Sequence, residues 1–144
     1  MSRRQQSEPA AFQRMVVVVD DDPRVRQSLE SLLSSAGFDV RVFNSGRQVL
    51  ESHALAAAGC LITDVRMPGM DGWELFRETA DAYTFLPVIF VTAHQDDDAA
   101  RRSLDGGAFA FLYKPYDGEE LLATVDAAFK SKRPDSGNPG LTGL

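Results

Sequence analysis

Two kinds of hydrophobic pattern alternate along the chain. Met15-Val16-Val17-Val18-Val19 is a continuous, mostly β-branched apolar run, as a strand buried on both faces requires. After it, Val25, Leu29, Leu32, Leu33 and Ala36 recur at helical spacing and mark one face of a helix. Asp22 is placed to cap that helix, Pro23 suits its first position, and Gly37 suits its end. Phe38 to Phe43 largely alternates, as a half-exposed strand would. Asn44-Ser45-Gly46 then reads as a turn. Val49, Leu50, His53, Ala54 and Ala57 predict a second helix, stopped by Gly59. Cys60-Leu61-Ile62-Thr63 is a third strand, and the loop Met67 to Gly72 leads into a short helix carrying Trp73, Leu75 and Phe76. Leu86 to Val91 is a fourth strand, ending at Thr92. A helix is predicted over 96–105 with Leu104 inward, followed by Gly106-Gly107 and a fifth strand, Phe109 to Tyr113. The last helix, about 118–129, turns Leu121, Leu122, Val125, Ala128 and Phe129 to one side.

Five strands alternating with five helices predict an α/β fold, a parallel sheet covered by helices on both faces. Residues 1–13 read as a flexible polar arm, 14–130 as one domain, and the Gly- and Pro-rich stretch 131–144 as a disordered tail. The chain has 144 residues, enough for one self-sufficient core. Its net charge of −6 argues against a nucleic-acid-binding surface, which is normally basic. The one cysteine, Cys60, lies inside an apolar strand, which favours a packed small hydrophobe over a redox group. No apolar run approaches the roughly 20 residues of a membrane span, and the amino terminus lacks the apolar core of a signal peptide. A cytoplasmic location is therefore expected.

The chemistry gathers at strand ends. In open parallel sheets, ligands bind beyond the carboxyl ends of the strands. Here those ends carry Asp20 and Asp21 (first strand), Asp64 (third), Thr92 (fourth) and Lys114 (fifth), whereas the second strand ends in Asn44-Ser45, as an edge strand can. A lone aspartate after a strand is most often a cap or turn residue; the joint occurrence of these five is not explained that way. Carboxylates sharing a pocket repel, by about 4 kcal/mol per pair at ~4 Å and an effective dielectric of ~20. A proton or a metal must relieve this, and carboxylate oxygens suit Mg²⁺. Lys114 and the Thr92 hydroxyl can serve an anion. A metal, a lysine and a free carboxylate together suit a phosphoryl group, which the carboxylate can accept as an acyl phosphate.

With these residues in place, the chain resembles the receiver domain of two-component response regulators over about residues 14–130. The carriers are VVVVDDDPRVR, LITDVRMPGMDG, VIFVTAH and FAFLYKP, and no gap is needed between them. The wording of DVRMPGMDG and VTAH is most similar to receivers of nitrogen-fixation and LuxR-like regulators. The resemblance implies a flavodoxin-like, doubly wound five-stranded sheet in the order 2-1-3-4-5. It implies that Asp64 is the phosphoacceptor, supplied by a histidine kinase or a histidine phosphotransfer protein. It gives Mg²⁺ to Asp21, Asp64 and the backbone oxygen of Arg66, with Asp20 acting through a water. Thr92 would contact the phosphoryl group, Lys114 would pair with Asp64 or with that group, and the Lys114-Pro115 bond would be cis. Thr92 and Phe111 would form the switch, although Phe111 lacks the hydroxyl of the tyrosine often found there and could equally be a core residue of the fifth strand. Arg66 and His94 would tune the lifetime of the phosphorylated state.

The reading is therefore a signalling switch and not an enzyme, apart from self-phosphorylation and autodephosphorylation. Its implied partners are the kinase or phosphotransfer protein, a downstream protein, and a phosphorylation-dependent homodimer, with neither nucleic acid nor membrane bound directly. The expected contact surface is the helix over 96–105, the fifth strand and the last helix. Alternatives within the fold are a phosphate sink and the receiver part of a longer DNA-binding regulator, since no output module is recognisable after the last helix. A phosphatase of the haloacid dehalogenase type would need an Asp-x-Asp-x-Thr pattern, which the Asp20-Asp21-Asp22 segment lacks. A flavodoxin-like electron carrier would need a phosphate loop where the acidic triplet stands.

Overall fold

The computed structural model describes residues 14–93, 102 and 104–132. Five parallel strands form one sheet: β1 (Met15–Val19), β2 (Asp39–Phe43), β3 (Cys60–Thr63), β4 (Val88–Thr92) and β5 (Ala110–Tyr113), in the order β2-β1-β3-β4-β5. Four helices are described in full: α1 (Pro23–Ser35), α2 (Gly46–Ser52), α3 (Gly72–Ala82) and α4 (Gly118–Lys132). The helix predicted over 96–105 falls mostly outside the described residues, but Arg102, Leu104 and Asp105 are helical. The arm 1–13 and the stretch 133–144 also lie outside them.

The two faces of the sheet bury two cores, because successive side chains on a strand point to opposite sides. Val17, Val19, Leu61, Val88 and Phe90 pack with Val49 of α2 and Leu75 of α3. Val16, Val18, Ile62, Ile89 and Val91 pack with Leu29 and Leu33 of α1 and with Leu121, Val125 and Ala128 of α4. Both surfaces of β1, β3 and β4 are thus dry, which is why their sequences are continuous apolar runs rather than alternating ones. Cys60 belongs to the second core, and burial pushes its thiol far above the ordinary range, as a packing residue requires. Phe111 and Phe109, alike in sequence, part company here: Phe111 packs on the α2–α3 side and Phe109 on the α1–α4 side.

The helix boundaries have local causes. Asp22 caps α1 by accepting the Arg24 N–H at 2.9 Å, Pro23 occupies the first turn, and Gly37 takes φ +93 beyond its end. Asp71 and Glu74 form a reciprocal capping box that starts α3. The helix predicted through Ala57 breaks earlier. It stops at Ser52, His53 turns left-handed at φ 63, and a single 3-10 turn, Ala54–Ala57, follows. The Ser52 hydroxyl donates to the Val49 carbonyl and accepts the Ala54 N–H, so it satisfies backbone groups on both sides of the break. Leu104, expected inward, is half exposed, since it sits in the last helical turn beside the Gly106-Gly107 turn. No helix among the described residues is long and apolar enough to cross a membrane.

Candidate functional site

Register brings the acids together. Parallel pairing sets Val19 beside Thr63, so the next residues on each strand, Asp20 and Asp64, leave the sheet side by side. The Asp64 N–H donates to the Val19 carbonyl at 3.2 Å, which closes the ladder at that point. On the outer side, the Asp20 N–H donates to the Phe43 carbonyl at 3.2 Å. Thr92 pairs with Tyr113 across β4 and β5, and the Lys114 N–H donates to the Thr92 carbonyl at 2.7 Å. Four of the five predicted polar strand ends are therefore fixed by main-chain bonds, and Asp21 follows Asp20 in the same loop.

One carboxylate oxygen from each of Asp20, Asp21 and Asp64 falls within 4.8 Å of the others, a cluster that could hold a metal ion. Asp20 and Asp64 are buried and Asp21 is exposed, so the cluster opens to solvent on the Asp21 side. The Lys114 ammonium donates to Asp20 Oδ2 at 2.9 Å and to Asp64 Oδ2 at 3.0 Å. The resemblance pairs Lys114 with Asp64 or with the phosphoryl group; the structure shows it bridging Asp64 and Asp20. Burial pushes the Asp20 carboxyl above its ordinary range, against the pull of the Asp22 N–H and of Lys114. For Lys114, burial acts downward, but the two carboxylates outweigh it and hold the ammonium above its ordinary range.

Asp64 is held at both oxygens. Its Oδ2 faces Lys114, and its Oδ1 accepts the Arg66 N–H at 3.2 Å. The Arg66 side chain is exposed at the pocket rim. Thr92 is buried at the carboxyl end of β4. Phe111 packs at a tilt against Phe90, with centroids 6.0 Å apart, and edge-on against Tyr113 at 5.2 Å. The Lys114-Pro115 peptide is cis. His94 lies outside the described residues.

Sequence reasoning missed two supports of this pocket and one of the loop that follows Asp64. Gly72 lies so close to the Asp64 backbone that a Cβ there would overlap the Asp64 carbonyl oxygen. Gly46 leaves room for Met70, whose Sδ would sit 2.8 Å from a Cβ at that position. Arg26, on α1, donates from Nη1 to the Asp20 carbonyl at 2.7 Å. The two glycines carried a signal, since each stands at a loop-to-helix junction. Arg26 carried none, because an arginine on a helix flank reads as solvated.

This doubly wound sheet, with an acidic cluster and a lysine at its carboxyl edge, defines the receiver class of α/β domains. The family profile of the response regulator receiver domain matches residues 16–126, and the chain belongs to that family, within two-component signalling. It is 43% identical over 111 residues to the DNA-binding transcriptional regulator NtrC of Klebsiella pneumoniae, covering 77% of this chain and 24% of that one. It is 40% identical over 124 residues to nodulation protein W of Bradyrhizobium diazoefficiens, covering 86% of this chain and 55% of that one. The fold superposes on full-length FixJ from B. japonicum with a TM-score of 0.81 at 34% identity, covering 88% of this chain and 62% of that one. The chain thus spans about a quarter of the NtrC length and about half of nodulation protein W.

Proposed function

We propose that this chain is the phosphoacceptor switch of a two-component phosphorelay, with Asp64 taking its phosphoryl group from a phosphohistidine donor. The observation that supports this reading most is the setting of Asp64: a carboxylate open on its Asp21 side, one oxygen on the Lys114 ammonium and the other on the Arg66 N–H. An Asp64 oxygen attacks phosphorus, the new P–O bond forms as the donor's P–N bond breaks, and the donor's imidazole nitrogen keeps the electron pair. Lys114 holds Asp64 and offers positive charge to the phosphoryl oxygens; Thr92, at the end of β4, supplies a hydroxyl donor. Asp20, Asp21 and Asp64, with the backbone oxygen of Arg66, would hold Mg²⁺. When bound, the ion supplies charge neutralisation for the acids and the incoming phosphoryl group.

The phosphorylated Asp64 adds up to about two negative charges to the pocket. Thr92 and Phe111, on adjacent strands, are the residues placed to pass that change to the outer face of β5 and its neighbouring helices. A kinase or phosphotransfer protein and a downstream protein are the partners this requires, and the chain's own chemistry is limited to self-phosphorylation and autodephosphorylation. Arg66 and His94 flank the pocket in sequence and tune how long the acyl phosphate lasts. A second reading, the receiver portion of a longer DNA-binding regulator, is favoured by the greater length of the curated relatives.

Two tests follow. Mg²⁺ should raise the melting temperature of the wild type by binding the folded acid cluster. Asp21→Ala should remove most of that rise; a rise of equal size would place the ion elsewhere. In addition, intact-mass measurement after incubation with a small phosphodonor and Mg²⁺ should show one added phosphoryl group. A wild type that stays unmodified under these conditions would speak against the phosphoacceptor reading.

A further inference from the structure

Asp20 has each of its polar groups committed. Its N–H donates to the Phe43 carbonyl, Oδ1 accepts the Asp22 N–H at 2.9 Å, and Oδ2 accepts from Lys114 at 2.9 Å. The remaining group, its carbonyl oxygen, is taken by Arg26 Nη1 at 2.7 Å, a short, charge-assisted bond in a half-buried setting. That oxygen belongs to the peptide joining Asp20 to Asp21. Fixing it fixes the ψ of Asp20 and the plane from which the Asp21 side chain departs. Asp21 is the exposed member of the acid cluster, and no side chain within the described residues locks its carboxylate. Its aim therefore depends on its backbone, and its backbone depends on Arg26.

We propose that Arg26 is a positioning residue of the acid pocket: by holding the Asp20–Asp21 peptide, it aims the Asp21 carboxylate for cation binding. The inference rests on the reading of the cluster as a Mg²⁺ site. Arg26 acts through geometry more than through charge, since its guanidinium is directed at a carbonyl and the carboxylates take their cation from Lys114. Arg24, on the same turn of α1, gives the contrast. Its side chain is 89% exposed and, among the described residues, its side-chain hydrogen bonds go to Asp22, at 3.5 Å, so it shares the charge of Arg26 but not the bond to the loop.

The test measures Mg²⁺ affinity by titrating the amide resonances of the wild type, Arg26→Met, Arg26→Lys and Arg24→Met, each first checked for a cooperative melt without metal. Removing an outer support of a ligand typically costs ten- to a hundredfold in metal affinity, and Arg26→Met should lose about tenfold or more. Arg26→Lys, which keeps a charged donor, should recover much of that, and Arg24→Met should stay near wild type. In an Asp21→Ala background, Arg26→Met should cost little more, because the two residues act as one unit. Equal losses in Arg26→Met and Arg24→Met would show a charge effect alone and overturn the proposal, as would wild-type affinity in Arg26→Met. Should the wild type itself bind no Mg²⁺, the metal reading of the cluster fails. The positioning role is then judged from the metal-free amides of Asp21 and Asp22: faster exchange in Arg26→Met supports it, and unchanged exchange overturns it.

Discussion

Gly72→Ala is expected to cost about 3 kcal/mol of stability, the upper end of the range for overpacking a close-packed site. The reason is the route of the chain after Asp64. The Gly72 N–H donates to the Val65 carbonyl at 2.8 Å, which pulls the first residue of α3 against the backbone it has just left. A Cβ there would overlap the Asp64 carbonyl oxygen and stand 2.9 Å from Val65 Cα. Both neighbours are backbone, so no rotamer change relieves the clash. Gly69, in the same loop, is the internal comparison: nothing lies within 4 Å of its Cβ position, and its cost comes only from its φ of +75. Gly69→Ala should therefore lose about 1 kcal/mol, the penalty of a left-handed backbone with a side chain. Urea denaturation of both variants checks the order. Because the Gly72 clash bears on the Asp64 peptide, Gly72→Ala should also lower the rate of phosphorylation, and Gly69→Ala much less.

Lys114→Met is the second large effect. The ammonium lies between Asp20 Oδ2 and Asp64 Oδ2, with side-chain exposures of 18%, 2% and 12% for Lys114, Asp20 and Asp64. Removing one partner of a buried ion pair costs ~3–5 kcal/mol, because it leaves charge uncompensated. Proton uptake by Asp20 limits the loss here, and about 2–3 kcal/mol is expected at neutral pH. The pH dependence has a definite sign. In the wild type, the folded Lys114 value lies above the ordinary 10.5, so its contribution is fully present below 10.5 and is lost as pH rises through the folded value. Lys114→Met should lack that alkaline loss. Its own deficit should shrink as pH falls through the raised value of Asp20, since a raised acid favours the protonated folded state. Mg²⁺ should recover more stability in Lys114→Met than in the wild type, because two bare acids bind the ion more strongly. Melting curves across pH, with and without Mg²⁺, read all three effects.

What the sequence made legible follows from how local each cause is. β1, β3 and β4 announced themselves because strands dry on both faces must be apolar throughout, and the ends of β1 and β3 stood out because an aspartate follows at once. The cap of α1 was legible from Asp22-Pro23 and Gly37 for the same reason: the cause sits within a few residues. The break at His53 was not, because no glycine or proline marks it; a serine hydroxyl and a left-handed histidine do the work usually left to a glycine. The acid cluster was legible as a list of residues but not as a geometry. That Lys114 bridges Asp20 as well as Asp64 joins positions 94 and 50 residues apart, which only the register of the sheet decides. Arg26 shows the same limit, since its role depends on the carbonyl it reaches and leaves no mark in the pattern of the helix that carries it.

Of the three clustered carboxylates, we propose that Asp64 receives the phosphoryl group. Asp20 makes a matching pair of bonds, to Lys114 and to the Asp22 N–H, but its side chain is 2% exposed against 12% for Asp64, and Asp21 faces solvent. The most direct measurement is site mapping of the acyl phosphate: phosphorylate with a small phosphodonor and Mg²⁺, reduce with borohydride, and locate the converted residue by peptide mass spectrometry. Conversion is expected at Asp64, and none in Asp64→Asn. Conversion at Asp20 or Asp21, or label that persists in Asp64→Asn, would contradict it.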